Sequence, residues 1–197
     1  MIYELAHTLQ KHFPFLWKCI EAVNGRCFKL LFGKKLKRIP QTVSDYPGIS
    51  MVSLEDVSDL AFFFSKQPEA SFKYFRPHGF DEVSLRKLIS NPSFLMYIIR
   101  GKDAIIGYFF LRCFFTGKAF LGKMVDSEQQ GRGIGKMMCS CAMDIATALG
   151  LRMFESISKD NLASLYSSQS VLNVRVIKEM DNDYLYLEDL GKKSESD

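Results

Sequence analysis

The sequence predicts an α/β protein: a mixed, mostly antiparallel sheet flanked by helices, with a helical extension in front of it. Three observations carry this expectation. Phe94 to Arg100, Ala104 to Phe114 and Ala119 to Val125 are apolar stretches separated by Gly101-Lys102-Asp103 and Thr116-Gly117-Lys118. Those spacers are short enough for hairpin turns, so the three stretches read as an antiparallel meander. Helical and strand patterns alternate on both sides of that meander. The first 40 residues, in contrast, carry Lys11, Lys18, Arg26, Lys29, Lys34, Lys35, Lys37 and Arg38 against only Glu4 and Glu21.

The elements follow in order. Ile2, Leu5, Ala6 and Leu9 fall at helical spacing, and Pro14 resets the chain. Leu16, Ile20, Val23, Cys27 and Leu31 form a second helical stripe. Gly33 and the Lys34–Arg38 run close it, and Pro40, Pro47 and Gly48 mark a linker. Residues 1–48 are therefore read as a basic amphipathic extension and linker, 49–191 as the main domain and 192–197 as a polar tail. Ile49 to Val52 reads as a short strand. Ser53, with Asp56 behind it, can cap a helix bearing Val57, Leu60, Ala61 and Phe64. Asp81 starts another helix, which ends before Pro92. After the meander, Ile134, Met137, Met138, Cys141, Ile145 and Leu149 share one face of a helix that Gly150 terminates. Met153 to Ser158 is a strand and Asn161 to Ser168 a short helix. Val174 to Met180 and Tyr184 to Leu190 close the domain as a hairpin around Asp181-Asn182.

Composition limits the function classes. Hydrophobic residues make up 47% and charged residues 24% of the 197, so a packed core is expected. The five cysteines show neither zinc spacing nor a disulfide framework, which fits a reduced, cytoplasmic protein without a metal. Lys18, Glu21, Arg26 and Lys29 interrupt the only candidate membrane span. The basic residues lack an aromatic platform or nucleic-acid module, so no nucleic-acid partner is expected.

Gln130-Gly131-Arg132-Gly133-Ile134-Gly135 lies between a strand and a helix. Glycines let the backbone curl so that several N–H groups converge, and the helix N-terminus adds partial positive charge. Such a turn holds a diphosphate, with Arg132 and Lys136 supplementing the field. A dinucleotide fingerprint fails because Lys136 stands in the third glycine's place. A P-loop fails at Gln130 and Met137.

The hexad resembles the Q/R-x-x-G-x-G/A signature of GNAT acetyltransferases, and the element order from Ile49 to Leu190 resembles that family's fold. The resemblance implies acetyl-CoA as cosubstrate. It places the main chain of Met124, Val125 and Asp126 along the pantetheine arm, with the Val125 amide at the thioester carbonyl. It places the amides from Gln130 to Lys136, including Gly131, Arg132, Gly133, Ile134 and Gly135, on the pyrophosphate. Asn161 and Ser164 are implied as further cofactor contacts. In many members a tyrosine at the place of Ser168 protonates the leaving thiolate. Here the nearest tyrosine is Tyr166, about 200° away on a helix, so Tyr166, Ser168 or water fills that role. A thiol of pKa about 8.5 needs little help to leave.

The acceptor amine must lose a proton. Glu155 is the first candidate base, with Asp126 and His78 as alternatives; a solvated strand residue is the competing reading of Glu155. Tyr74, Arg76 and His78 lie where the family forms its acceptor pocket, and aromatics beside Arg and His suit a sugar or a phosphate-bearing ligand. They equally suit a packed loop. The resulting expectation is N-acetylation of a primary amine on a small molecule such as an amino sugar. The competing readings are a CoA-binding module that has lost catalysis and a membrane-surface adaptor built on the basic helices. The extension is expected to pack on the domain or on a second copy rather than on lipid.

Overall fold

The computed structural model describes residues 14–180 and 183–194. The first helical stripe, the Asp181-Asn182 turn and the last three residues of the tail lie outside these. Helices are α1 (Pro14–Leu36), α2 (Ile39–Ser44), α3 (Val57–Ser65), α4 (Glu82–Ile89), α5 (Ile134–Leu149) and α6 (Leu162–Gln169). Strands are β1 (Ile49–Met51), β2 (Phe94–Arg100), β3 (Ile105–Phe114), β4 (Lys118–Val125), β5 (Arg152–Ser158), β6 (Leu172–Glu179) and β7 (Tyr184–Lys192). They form one seven-stranded sheet in the order β1-β2-β3-β4-β5-β7-β6. Every pairing is antiparallel except β4 with β5. This is the mixed, mostly antiparallel architecture that the sequence predicts.

Helices cover both faces of the sheet, which explains why β2 reads as an unbroken apolar run. Leu95, Tyr97 and Ile99 face a core shared with α5, while Met96 and Ile98 face a second core beneath α3 and α4. The Asp81 side chain caps α4 by accepting the Ser84 N–H at 2.9 Å. Ser53 instead donates to Asp56, at 2.7 Å from both its N–H and its hydroxyl, in the turn that precedes α3.

The extension shares the first core. Phe28 of α1 is fully buried and stacks on Phe32, and Ile39 and Val43 of α2 are buried in the same cluster. Asn24 reaches from α1 to donate to Ser93 Oγ and the Cys113 carbonyl, and accepts the Phe115 N–H. Lys35 donates to the Leu149 carbonyl at 2.8 Å, placing a cation at the negative C-terminal end of α5. Pro40 does not sit in a linker. It occupies the first turn of α2, where its missing N–H has no intrahelical partner to lose. At the other end, β7 runs to Lys192, one residue into the segment expected as tail. No helix among the described residues is long and apolar enough to cross a membrane.

One irregularity positions the site. The parallel β4–β5 pairing lasts only from Lys118↔Arg152 to Phe120↔Phe154. Beyond it β4 stays paired with β3 and β5 stays with β7, so the two strands diverge. Phe120, Phe154 and Tyr186 stack on one face at the root of the divergence, with centroids 5.5–6.0 Å apart.

Candidate active site

The notch opens between residues 121–125 and 155–158, and its β4 edge keeps free hydrogen-bonding groups. The Asp126 N–H donates to the Ile106 carbonyl at 3.0 Å, which makes that pair hydrogen-bonded. Alternation along an antiparallel ladder then turns the N–H and C=O of Val125 and Lys123 away from β3, into the notch. Parallel pairing with β5 has ended by that point, so an extended ligand arm can add to β4 as a strand would.

Above the notch, Asp126 fixes the exit of β4. Its carboxylate accepts the Glu128 N–H at 3.0 Å and Gln67 Nε2 at 3.0 Å, with Lys66 at 3.3 Å. Burial raises its pKa, but the Glu128 amide, Gln67 and Lys66 outweigh this and hold the carboxyl below the usual range. Asp126 is thus an anchor for the turn and a poor base. Gln67, buried at the end of α3, also accepts the Ser127 N–H; nothing in the sequence pattern singles it out.

Gly131 and Gly133 then adopt φ of +76° and +81°, the left-handed region that glycine occupies without strain. Gly133 is the N-cap of α5, and the amides of Ile134, Gly135 and Lys136 have no intrahelical acceptor. A Cβ on Gly131 or Gly133 would meet nothing within 4 Å, so the turn faces open space. Gly135 is different: a Cβ there would lie 3.2 Å from Ser167 Cβ, and its absence lets α6 close on α5. Arg132 is exposed, while Lys136 lies 4.6 Å from the centroid of the Tyr166 ring and donates to its hydroxyl at 3.3 Å. Asn161 caps α6 by accepting the Ser164 N–H at 3.2 Å.

Tyr166 and Ser168 diverge as helical geometry requires. Tyr166 is 65% exposed on the outside of α6, whereas Ser168 is fully buried beneath the notch. Lys123 meets it there, donating to Ser168 Oγ at 2.8 Å and to Glu155 Oε2 at 2.5 Å. Cys139 of α5 lies 3.6 Å from the same hydroxyl. Glu155 is therefore not a solvated strand residue. It is buried in an ion pair on the face of the sheet covered by α5 and α6, with Oε1 lacking a partner.

Asp189 of β7 completes the cluster, with both carboxylate oxygens buried and unpartnered. Burial, then the charge of Glu155, pushes its pKa up to about 8. The native state thus keeps a proton that the unfolded chain, with an ordinary carboxyl near about 4, gives up. Stability contributed by this group is lost as pH rises across that interval. Asp189→Asn, which cannot ionise, is expected to raise the thermal midpoint at pH 8 and to flatten its decline from pH 4 to 8. Parallel melting curves for wild type and variant across that range would contradict this.

In the loop that carries Tyr74, Arg76 and His78, His78 packs on the opposite face of the sheet. His78 is half-buried among Phe64, Phe80, Phe94 and Phe110. Its Nδ1–H donates to the Gly79 carbonyl at 2.8 Å, and Nε2 accepts the buried Tyr108 hydroxyl at 2.9 Å. Burial lowers its pKa, with the Gly79 carbonyl opposing, so it stands neutral with both nitrogens engaged. Arg76 is exposed and donates to the Phe72 carbonyl, and Tyr74 carries the Lys73 ammonium 4.7 Å from its ring centroid. The structure joins Glu155 to Ser168 through Lys123 and keeps Tyr74, Arg76 and His78 apart from them. Among the described residues, no group of three or more His, Cys, Asp and Glu is arranged to hold a metal ion.

A notch between diverging parallel strands, with a glycine turn and helix N-terminus above it, is accompanied by a sequence match. The profile of the acetyltransferase (GNAT) family matches residues 57–167, more than half of the chain. The chain belongs to the GNAT acetyltransferase family. Solved GNAT structures share its fold. The GNAT domain of S. lividans PAT superposes with a TM-score of 0.59 at 14% identity, covering 72% of this chain and 89% of that one. The ribosomal-protein-S5-alanine acetyltransferase from Vibrio fischeri gives 0.58 at 15% identity, covering 74% and 93%. Mycobacterium smegmatis RimJ, solved in complex with CoA-disulfide, gives 0.56 at 15%, covering 72% and 80%. No curated protein matches the chain in sequence at a significant level. Within this GNAT domain, Lys123 and Asp189 escaped the sequence reading. The available signal was that Lys123, Glu155 and Asp189 each fall on the core-facing phase of their strand, two residues from Leu121, Met153 and Leu187.

Proposed function

We propose that this GNAT protein transfers an acetyl group from acetyl-CoA to a primary amine on a small molecule such as an amino sugar. The observation that carries the reading is the notch itself, with Val125 N–H turned into it and the glycine turn beside it. These features fit CoA: an open strand edge for the amide-bearing arm, and converging amides with Arg132 and Lys136 for the diphosphate. The ligand supplies an acyl group on a thioester whose sulfur is a good leaving group.

The chain's own groups do the rest. Main-chain groups of Lys123 and Val125 orient the arm, those of Met124 and the Asp126 N–H being engaged with β3, and Val125 N–H stabilises negative charge developing on a carbonyl oxygen. Lys123, aimed by Glu155 and Ser168, puts a fixed cation beneath the place where a thiolate forms. This substitutes for the tyrosine hydroxyl that Tyr166, turned outward, does not present. Glu155 acts as a positioning residue and the amine's proton leaves to water, because Glu155, Asp126 and His78 are all engaged. The face bearing Tyr74, Arg76 and His78 receives the acceptor. Spermidine and a ribosomal-protein alanine are acetylated by structural relatives, as their names state, and both are amines.

The test is acetyl-CoA consumption across amino sugars, nucleotide amino sugars, amino acids and polyamines. Turnover with at least one amine is expected, rising with pH as that amine deprotonates. The outward position of Tyr166 favours one competitor, a CoA-binding module without catalysis. CoA binding with no turnover on any amine would select that competitor.

A further inference from the structure

We propose that the outer face of α1 docks on an anionic lipid surface. The inner face of this helix is spent on the core, with Phe28 buried and Asn24 and Lys35 bonded to the domain. The outer face is unusual for a soluble helix. Phe15 is 80% exposed and Leu30 85% exposed, and Val23 and Leu31 are more than half exposed. At 100° per residue, Phe15, Cys19, Arg26 and Leu30 fall within about 60° of one another, roughly opposite Phe28. Lys18 and Lys29 flank that stripe on one side and Lys34 on the other. None of these cations has a carboxylate within ion-pair distance among the described residues, and Glu21, the only acid in α1, is turned to Arg112.

Charge and apolarity together select the occupant. Exposed apolar side chains ringed by these cations match the acyl boundary and headgroups of an anionic bilayer, on which such a helix lies flat. A second copy fits poorly, because a two-fold contact would bring this cationic face against the same cationic face. A nucleic acid would satisfy the cations and leave Phe15 and Leu30 in water. Lipid satisfies both.

The experiment uses the full chain, sedimented with vesicles of phosphatidylcholine alone or mixed with phosphatidylglycerol, at low and high salt. Sedimentation with the anionic vesicles only, weakened by salt, is expected. Phe15→Gln with Leu30→Gln, and separately Lys18→Glu with Lys29→Glu, should each reduce bound protein at least tenfold at an unchanged melting temperature. These residues are outside the core, so the fold persists. Three outcomes overturn the proposal: no sedimentation of wild type at low salt, sedimentation unaffected by both variants, or a wild-type dimer that the Leu30 variant dissociates. The readout involves no acetyl transfer and stands apart from the proposed activity.

Discussion

Lys123→Met is expected to lower the unfolding free energy by about 3–5 kcal/mol, since it leaves Glu155 buried without its counter-charge. It is also expected to reduce turnover. The two effects separate in Lys123→Met combined with Glu155→Leu. Replacing a buried ion pair by apolar side chains of similar volume is often neutral or stabilising, so the double variant should recover most of the lost stability. Turnover should stay low, by about a hundredfold or about 2.7 kcal/mol of barrier, because no cation faces the leaving sulfur. Denaturant titration and initial rates with acetyl-CoA measure the two quantities on the same samples. A stable double variant with wild-type turnover would reduce Lys123 to a structural role. A Glu155→Gln profile that no longer rises with pH would restore Glu155 as the base.

Gly133→Val is expected to abolish the rise in melting temperature that CoA gives the wild type. A ligand bound only by the native state adds about 2.7 kcal/mol of stability at a hundred times its dissociation constant. Valine at φ +81° is strained, and its branched side chain would fill the space into which the first amides of α5 point. Strain alone would lower the melting temperature without touching the CoA increment. Gly117→Val is the control. Gly117 has φ +82°, also with open space around it, but lies in the β3–β4 turn at the far end of β4. Both variants should melt lower than wild type, and only Gly117→Val should keep the CoA increment. Equal increments in all three proteins would remove the glycine turn from the binding site.

Much of this architecture was legible because local signals agreed with the tertiary result. The meander, the Asp81 cap and Gly150 at the end of α5 depend on turn chemistry and periodicity, which act over a few residues. The extension's place was less legible. Its periodicity marked α1 but not what covers it, and Pro40 suggests a linker until the first turn of α2 is seen around it. The turn ahead of α5 was readable from its glycines alone. The notch floor was not, because it depends on where β4 and β5 part, which no residue in either strand announces. Glu155 drew attention as a carboxylate in the right strand, yet its partner Lys123 lies on β4, 32 residues away, and is held in turn by Ser168 of α6. Three charges on core-facing strand positions were the one trace of that cluster in the sequence.

A crystal structure of the chain grown with CoA decides whether CoA occupies the opening between β4 and β5. The expected result has the pantetheine arm hydrogen-bonded to the main chain of Val125 beyond the Phe120–Phe154 pair. The pyrophosphate should rest on the amides of residues 131–136, with the thiol end above Lys123. CoA bound elsewhere on the surface, or a notch closed by Lys123 and Glu155 in crystals whose CoA binding is established calorimetrically, would contradict it.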